Sequence, residues 1–126
     1  MASDIENFGW AITSAVARNR AFPDTFQIPP EKRRNSLKRG EAAQVLFEIE
    51  TRVDGIIVDR GVDRMWLIII SVLSDGYRGV LDSEPGYAEN LQLYRGDLIE
   101  FKAGNICKID QPPQEFLTKE YGHHFH

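Results

Sequence analysis

Nine consecutive residues, Met65-Trp66-Leu67-Ile68-Ile69-Ile70-Ser71-Val72-Leu73, constrain this chain more than any other feature. They hold one hydroxyl and no charge, are too short to span a bilayer, and are too rich in Ile, Val and Trp to favour a helix. They read as a strand. Both of its faces are apolar, Trp66, Ile68, Ile70 and Val72 on one and Met65, Leu67, Ile69 and Leu73 on the other, so it must be covered twice. The chain supplies two covers: a set of short antiparallel strands, and an amphipathic helix at the N-terminus.

Ser3-Asp4-Ile5-Glu6 has the capping-box pattern that starts this helix. Ile5, Phe8, Ile12 and Val16 recur three and four residues apart and share a face, Arg18 and Arg20 suit the C-terminal end of its dipole, and Pro23 stops it. Three prolines among Phe22, Phe26 and Ile28 then describe an extended connector pinned by those apolar side chains, followed by a short helical turn over residues 31–36. Ala43, Val45, Phe47, Ile49 and Val53 alternate with Gln44, Glu48, Glu50 and Arg52, which predicts a half-buried strand with the polar set in water. That strand is read as running on through Ile56-Ile57-Val58 after a bulge at Asp54-Gly55, with the turn at Asp59-Arg60-Gly61. A hairpin tip at Asp54-Gly55 is the other reading. Asp75-Gly76 predicts the next hairpin, Leu98–Phe101 and Ile106–Ile109 two more short strands, and Phe116, Leu117 and Tyr121 a last turn that docks the tail.

Two stretches echo each other: Leu37-Lys38-Arg39-Gly40-Glu41 and Leu93-Tyr94-Arg95-Gly96-Asp97. In each, glycine permits a tight turn before a strand and the acid can bond the turn's amides. Five short strands so introduced predict an α+β protein, an N-terminal helix packed on a small, mostly antiparallel, five-stranded SH3-like barrel. The 126 residues form one domain on this reading, with the helix in 1–21, the connector in 22–41, the barrel in 42–109 and the tail in 110–126.

Composition narrows the function. A hydrophobic fraction of 42% with 27% charged residues is that of an ordinary globular protein, and no run reaches transmembrane length. Asp4 and Glu6 stand where an export signal would carry bases, and the single cysteine, Cys107, permits no internal disulfide, so a cytoplasmic protein is expected. Cys107 itself sits on a strand and is expected to pack as a small apolar side chain. The net charge of −4 hides an excess of five positive charges over residues 18–39 and of seven negative charges from residue 40 onward. The basic run Arg33, Arg34, Lys38 and Arg39 is the candidate nucleic-acid contact, although the acidic remainder would repel the same backbone.

Catalysis finds little to work with. The histidines are His123, His124 and His126, at one end of the chain and beside no nucleophile; as a metal cluster they lack an acidic or sulfur partner. Glu48 and Glu50 share a strand face expected to lie in water, and no phosphate-binding glycine loop is present. No cofactor, no metal and no catalytic residue are therefore assigned. A small hydrolase would need perturbed carboxylates in a pocket. Trp66, Tyr87, Tyr94 and Arg64, near strand ends and loops, are instead the candidate partner-binding residues, the competing role for Trp66 being the core beneath the N-terminal helix. A homodimer through an exposed edge strand is a further expectation.

Residues 22–110, about seven-tenths of the chain, resemble a bacterial family, domain of unknown function 2314. The likeness lies in Leu37-Lys38-Arg39-Gly40-Glu41, Asp63-Arg64-Met65-Trp66-Leu67, Gly79-Val80-Leu81-Asp82-Ser83-Glu84-Pro85 and Leu93-Tyr94-Arg95-Gly96-Asp97-Leu98-Ile99, with Ser83 where the family's loop carries Asn. The resemblance implies a bacterial origin and a small β-rich domain, and some similar domains look like immunity proteins of toxin systems. The expected function is a non-enzymatic protein-binding module, an immunity or accessory factor.

Overall fold

Two long strands form the spine of the molecule. In the computed structural model, which describes residues 5–86 and 88–125, β2 (Ala42–Val53) and β3 (Ile56–Leu73) pair antiparallel along their length. Their tip is Asp54-Gly55, with φ of 52° and 79°. Positive φ at both positions is the type I′ geometry that suits the twist of a two-residue hairpin, and Asp-Gly is a pair that tolerates it. The reading in which the chain ran on past Asp54-Gly55 is thereby corrected: Asp59-Arg60-Gly61 lies inside β3, opposite Thr51, Glu50 and Ile49.

From β3 the chain turns through β4 (Gly76–Leu81) to β5 (Leu98–Phe101), each antiparallel to the one before. A 3₁₀ turn, Ala103–Asn105, leads into β6 (Ile106–Asp110), which returns to pair with Ala42–Val45 of β2. Farther along the same edge of β2, β1 (Trp10–Ile12) pairs with Phe47–Ile49. The result is an α+β fold built on a curled antiparallel sheet.

The period of two along β2 and β3 sorts the core. Ala43, Val45, Phe47, Met65, Leu67 and Ile69 point inside the curl, where Trp10, Tyr77, Leu81, Ile99, Phe101 and Ile106 join them. The central run does carry two covered apolar faces as far as Ile70, whereas Val72, expected to be covered with them, is exposed. Its outer face buries Ile68 with Ala42 and Val80, and half-buries Trp66 and Ile70.

The cover on that outer face differs from the expectation. It is the C-terminal helix α4 (Gln114–Tyr121), whose Leu117 and Tyr121 pack on Ala42, Ile68 and Val80; Trp66 accordingly belongs to this cluster and not to one under an N-terminal helix. The single N-terminal helix is also corrected. A turn, α1 (Ile5–Phe8), stops at Gly9 with φ 78°, β1 follows, and only then comes α2 (Ala15–Ala21), capped by the Ser14 hydroxyl accepting from the Ala17 N–H at 3.0 Å. Ser3 and Asp4 of the capping box lie outside the described residues. The physical reason is at Gly9: a Cβ there would sit 2.7 Å from the Asn90 carbonyl oxygen, and the Gly9 carbonyl accepts the Glu50 N–H at 3.0 Å. Sheet pairing outweighs helical periodicity. It also lets Trp10 bury completely, its indole N–H donating to the Gln92 carbonyl at 2.9 Å.

The two echoed stretches adopt the same turn. Gly40 and Gly96 have φ of 95° and 98°, Glu41 and Asp97 accept the N–H of Lys38 and Tyr94 at 2.9 Å each, and Leu37 and Leu93 are buried. The acids bond the turn amides as the pattern predicts.

Candidate protein-binding surface

The β2–β3 hairpin extends beyond the part of the sheet that its neighbours cover. Every residue from Ile56 to Arg64 is exposed, and five of the large apolar side chains on the arm lie in water: Val53, Ile56, Ile57, Val58 and Val62. Val53 was expected inside. It stands next to the tip, past the last residue of the core, so alternation continues with nothing left to bury against.

The neck of the arm holds a charge cluster. Glu50 is 1% exposed, against the expectation that it shares a solvated face with Glu48, which is exposed. Its carboxylate accepts from Arg60 Nη2 and Arg52 Nε at 2.6 Å each and from Arg60 Nε at 3.0 Å. Those two arginines hold the carboxyl below its ordinary range despite burial. No sequence period marks this; the arginines come from two strands whose register was not legible.

One side of the arm is closed. Asn90 Oδ1 accepts the Arg52 N–H at 2.9 Å, the Gly9 carbonyl takes the Glu50 N–H, and Thr13 N–H donates to the Leu46 carbonyl at 3.0 Å. Since Leu46 and Glu50 bond away from β3, as β1 pairing requires of Glu48, the residues opposite them, Arg64, Arg60 and Val62, point their own N–H and C=O groups away from β2. At Trp66, two residues on, that edge is satisfied: its N–H donates to the Ser83 hydroxyl at 2.8 Å and its carbonyl accepts the Asp82 N–H at 2.9 Å. For Arg60, Val62 and Arg64 no such partner exists among the described residues. The outer edge of β3 has no strand partner there among the described residues.

Beside this edge lies a cluster of arginines and phenylalanines. The Arg64 guanidinium sits 4.8 Å from the centre of the Phe26 ring, and Arg18 lies 5.7 Å from both Phe26 and Phe22. Phe26 is buried with Ala15, Leu46 and Cys107, whereas Phe22, expected to pin the connector, is 54% exposed. Cys107 is buried, and desolvation pushes its thiol up.

Of the candidate binding residues, Arg64 belongs to this surface. Trp66 lies on the same strand but is half-buried, lining a shallow recess with Pro112, Pro113 and Phe116 of the tail. Tyr94 is 65% exposed and lines a different recess, with Pro85 and Arg95. Tyr87 falls outside the described residues. The basic run is dispersed over separate contacts: Arg33 pairs with Glu41, Arg34 is buried, and Arg39 bonds the His124 carbonyl and stacks over Phe125. Lys38 belongs to the turn that Glu41 caps. His123 and His124 lie with ring centres 4.0 Å apart, and His126 is outside the described residues. Phe22 and Arg18 were missed because their significance depends on where α2 packs.

Fold and surface together define a curled antiparallel sheet protein with a projecting arm whose β3 edge no described strand pairs. No protein-family model, no curated protein and no solved structure matches the chain. Among the described residues no helix is long and apolar enough to cross a membrane.

Proposed function

We propose that this chain is a non-enzymatic protein-binding module that takes an extended segment of a partner protein onto the open edge of β3. The observation that carries the reading is the row of backbone groups at Arg60, Val62 and Arg64 with no partner among the described residues, set between exposed apolar side chains and the Arg18–Phe22–Phe26–Arg64 cluster. Strand addition draws affinity from such backbone bonds and specificity from neighbouring side chains, and Arg and aromatic residues are favoured anchors.

The charges on the edge select against a second copy. Residues 59–64 read Asp-Arg-Gly-Val-Asp-Arg. Two copies related by a twofold axis present the same outward-facing residues, so opposed residues must share parity. The twofold axis then lies at one residue. Centred on 61 it opposes Asp59 to Asp63, on 62 it opposes Arg60 to Arg64, and on 59, 60, 63 or 64 it opposes a charge to itself. Like charges directly opposite destabilise a pair. The one charge-matched arrangement, Asp59 against Arg64, has the wrong parity. The homodimer is thus the weaker reading, and the partner is a different strand with an acid-base-x-x-acid-base order.

In this reading the sheet is SH3-like, the 3₁₀ turn between β5 and β6 and the return of β6 to β2 supporting it. With the resemblance to domain of unknown function family 2314, the chain is a bacterial, cytoplasmic immunity or accessory factor. Nucleic-acid binding is less favoured because Arg33, Arg34 and Arg39 are used internally.

The test is a pair of synthetic peptides, Thr-Glu-Lys-Val-Thr-Glu-Lys-Thr and its charge-reversed counterpart, added to the intact protein while amide exchange is followed by NMR. The first should slow exchange at Arg60, Val62 and Arg64 and the second should not. Equal effects, or none with either, would overturn the reading.

A further inference from the structure

Arg34, the last residue of α3 (Glu31–Arg34), is only 8% exposed, an unusual place for a guanidinium. Its Nε donates to the Pro29 carbonyl at 2.9 Å and its Nη1 to the Ala103 carbonyl at 3.2 Å. Its own carbonyl accepts the buried Tyr77 hydroxyl at 2.7 Å, so backbone and head group are both anchored. Among the described residues no carboxylate pairs with it. A cation withdrawn from water and met only by neutral dipoles is under-compensated, because carbonyls return part of the lost hydration and an anion returns far more.

The rest of the fork has room to act. No described side-chain nitrogen or oxygen is both buried and without a partner, and Nη2 bonds no described residue, so it keeps some accessible surface. Arg34 lines a cavity of about 480 Å³ between α2, α3, the β3–β4 turn and the 3₁₀ turn. Such a volume falls within the range of small-molecule sites. Arg20 and Lys102 line it, Arg20 with no ion pair among the described residues and Lys102 bridged to Asp75 at 3.1 Å. Asn35 and Ser74 add hydrogen-bonding groups, and Glu31 and Asp75 are the acids on the wall.

We propose that this cavity binds a small oxyanion, a phosphate or a carboxylate, gripped by the free side of the Arg34 fork with Arg20 completing the charge. Planar guanidinium donors match the spacing of two oxygens on one acid group. Glu31 and Asp75 keep the site from accepting an extended polyanion. The cavity is separate from the β3 edge, so the two proposals stand or fall independently.

The experiment is an NMR titration of the intact protein with inorganic phosphate and, separately, acetate, each to about 10 mM at constant ionic strength held with chloride. The amides of Asn35, Ser74, Ala103 and Gly104 should shift and saturate with at least one anion, phosphate alone or acetate alone identifying the source. Arg34→Lys, which cannot offer a fork, should weaken binding about tenfold. Arg20→Ala, an exposed change that leaves the fold intact, should weaken it about threefold. Shifts that fail to saturate with either anion, that chloride reproduces, or that are as strong in Arg20→Ala as in the parent would overturn the proposal.

Discussion

At the scale of single residues, Glu50 shows how a pattern misleads. Alternation along β2 puts it in water, and local sequence contains no reason to think otherwise. Its burial depends on Arg60 arriving from the opposite strand, so only the register could reveal it. Because the carboxyl is held below its ordinary range, its contribution is present above the unfolded-state value near 4.5 and is lost as pH falls through the lower folded-state value. Glu50→Gln should therefore lower the thermal midpoint at pH 7 and change it much less at pH 3. A midpoint difference that is the same at both values would show that the arginine contacts do not set it. By contrast the acids Glu41 and Asp97 were readable, because each bonds an amide only three residues away.

At the scale of elements, the two ends of the chain exchange the roles that periodicity assigns them. Ile5, Phe8, Ile12 and Val16 satisfy a helical period, yet Gly9 breaks it and β1 takes the middle of the run. The tail, whose apolar residues are fewer, forms the helix that covers Ile68 and Val80. It is pinned at Tyr121, whose hydroxyl donates to Asp82; burial, followed by that bond, raises the phenol well above its usual range. Asp82 and Glu120 flank Arg95 at 3.3 and 3.7 Å, tying α4 to the turn before β5. Leu117→Ala should cost about 2–5 kcal/mol by urea unfolding, since Leu117 is 2% exposed and the cavity left cannot collapse against a sheet. A cost under about 1 kcal/mol would mean that α4 is an ornament on the sheet and not its cover.

At the scale of the whole molecule, the arm extends beyond the core, and on the proposed reading its charges govern what the β3 edge accepts. The chain should stay monomeric up to about 100 μM by analytical ultracentrifugation, while Asp63→Arg, which turns the Asp59–Asp63 opposition into two ion pairs, should dimerise. Dimerisation of the parent, or none of the variant, would remove the parity argument. Much of this architecture was legible in the sequence: a two-faced central strand, the hairpin signalled by Asp75-Gly76, the paired apolar–x–Arg–Gly–acid turns, and an α+β fold built on antiparallel strands. All of these follow from interactions within a few residues, where side-chain period and turn stereochemistry leave few choices. Only the tertiary structure decided which terminus covers the outer face, that Glu50 and Arg34 are buried, where the edge of β3 stays open, and that Phe22, Arg18 and Arg64 meet. Each depends on strand register or helix placement across tens of residues, and there the energy of packing outweighs the local preferences that a sequence displays.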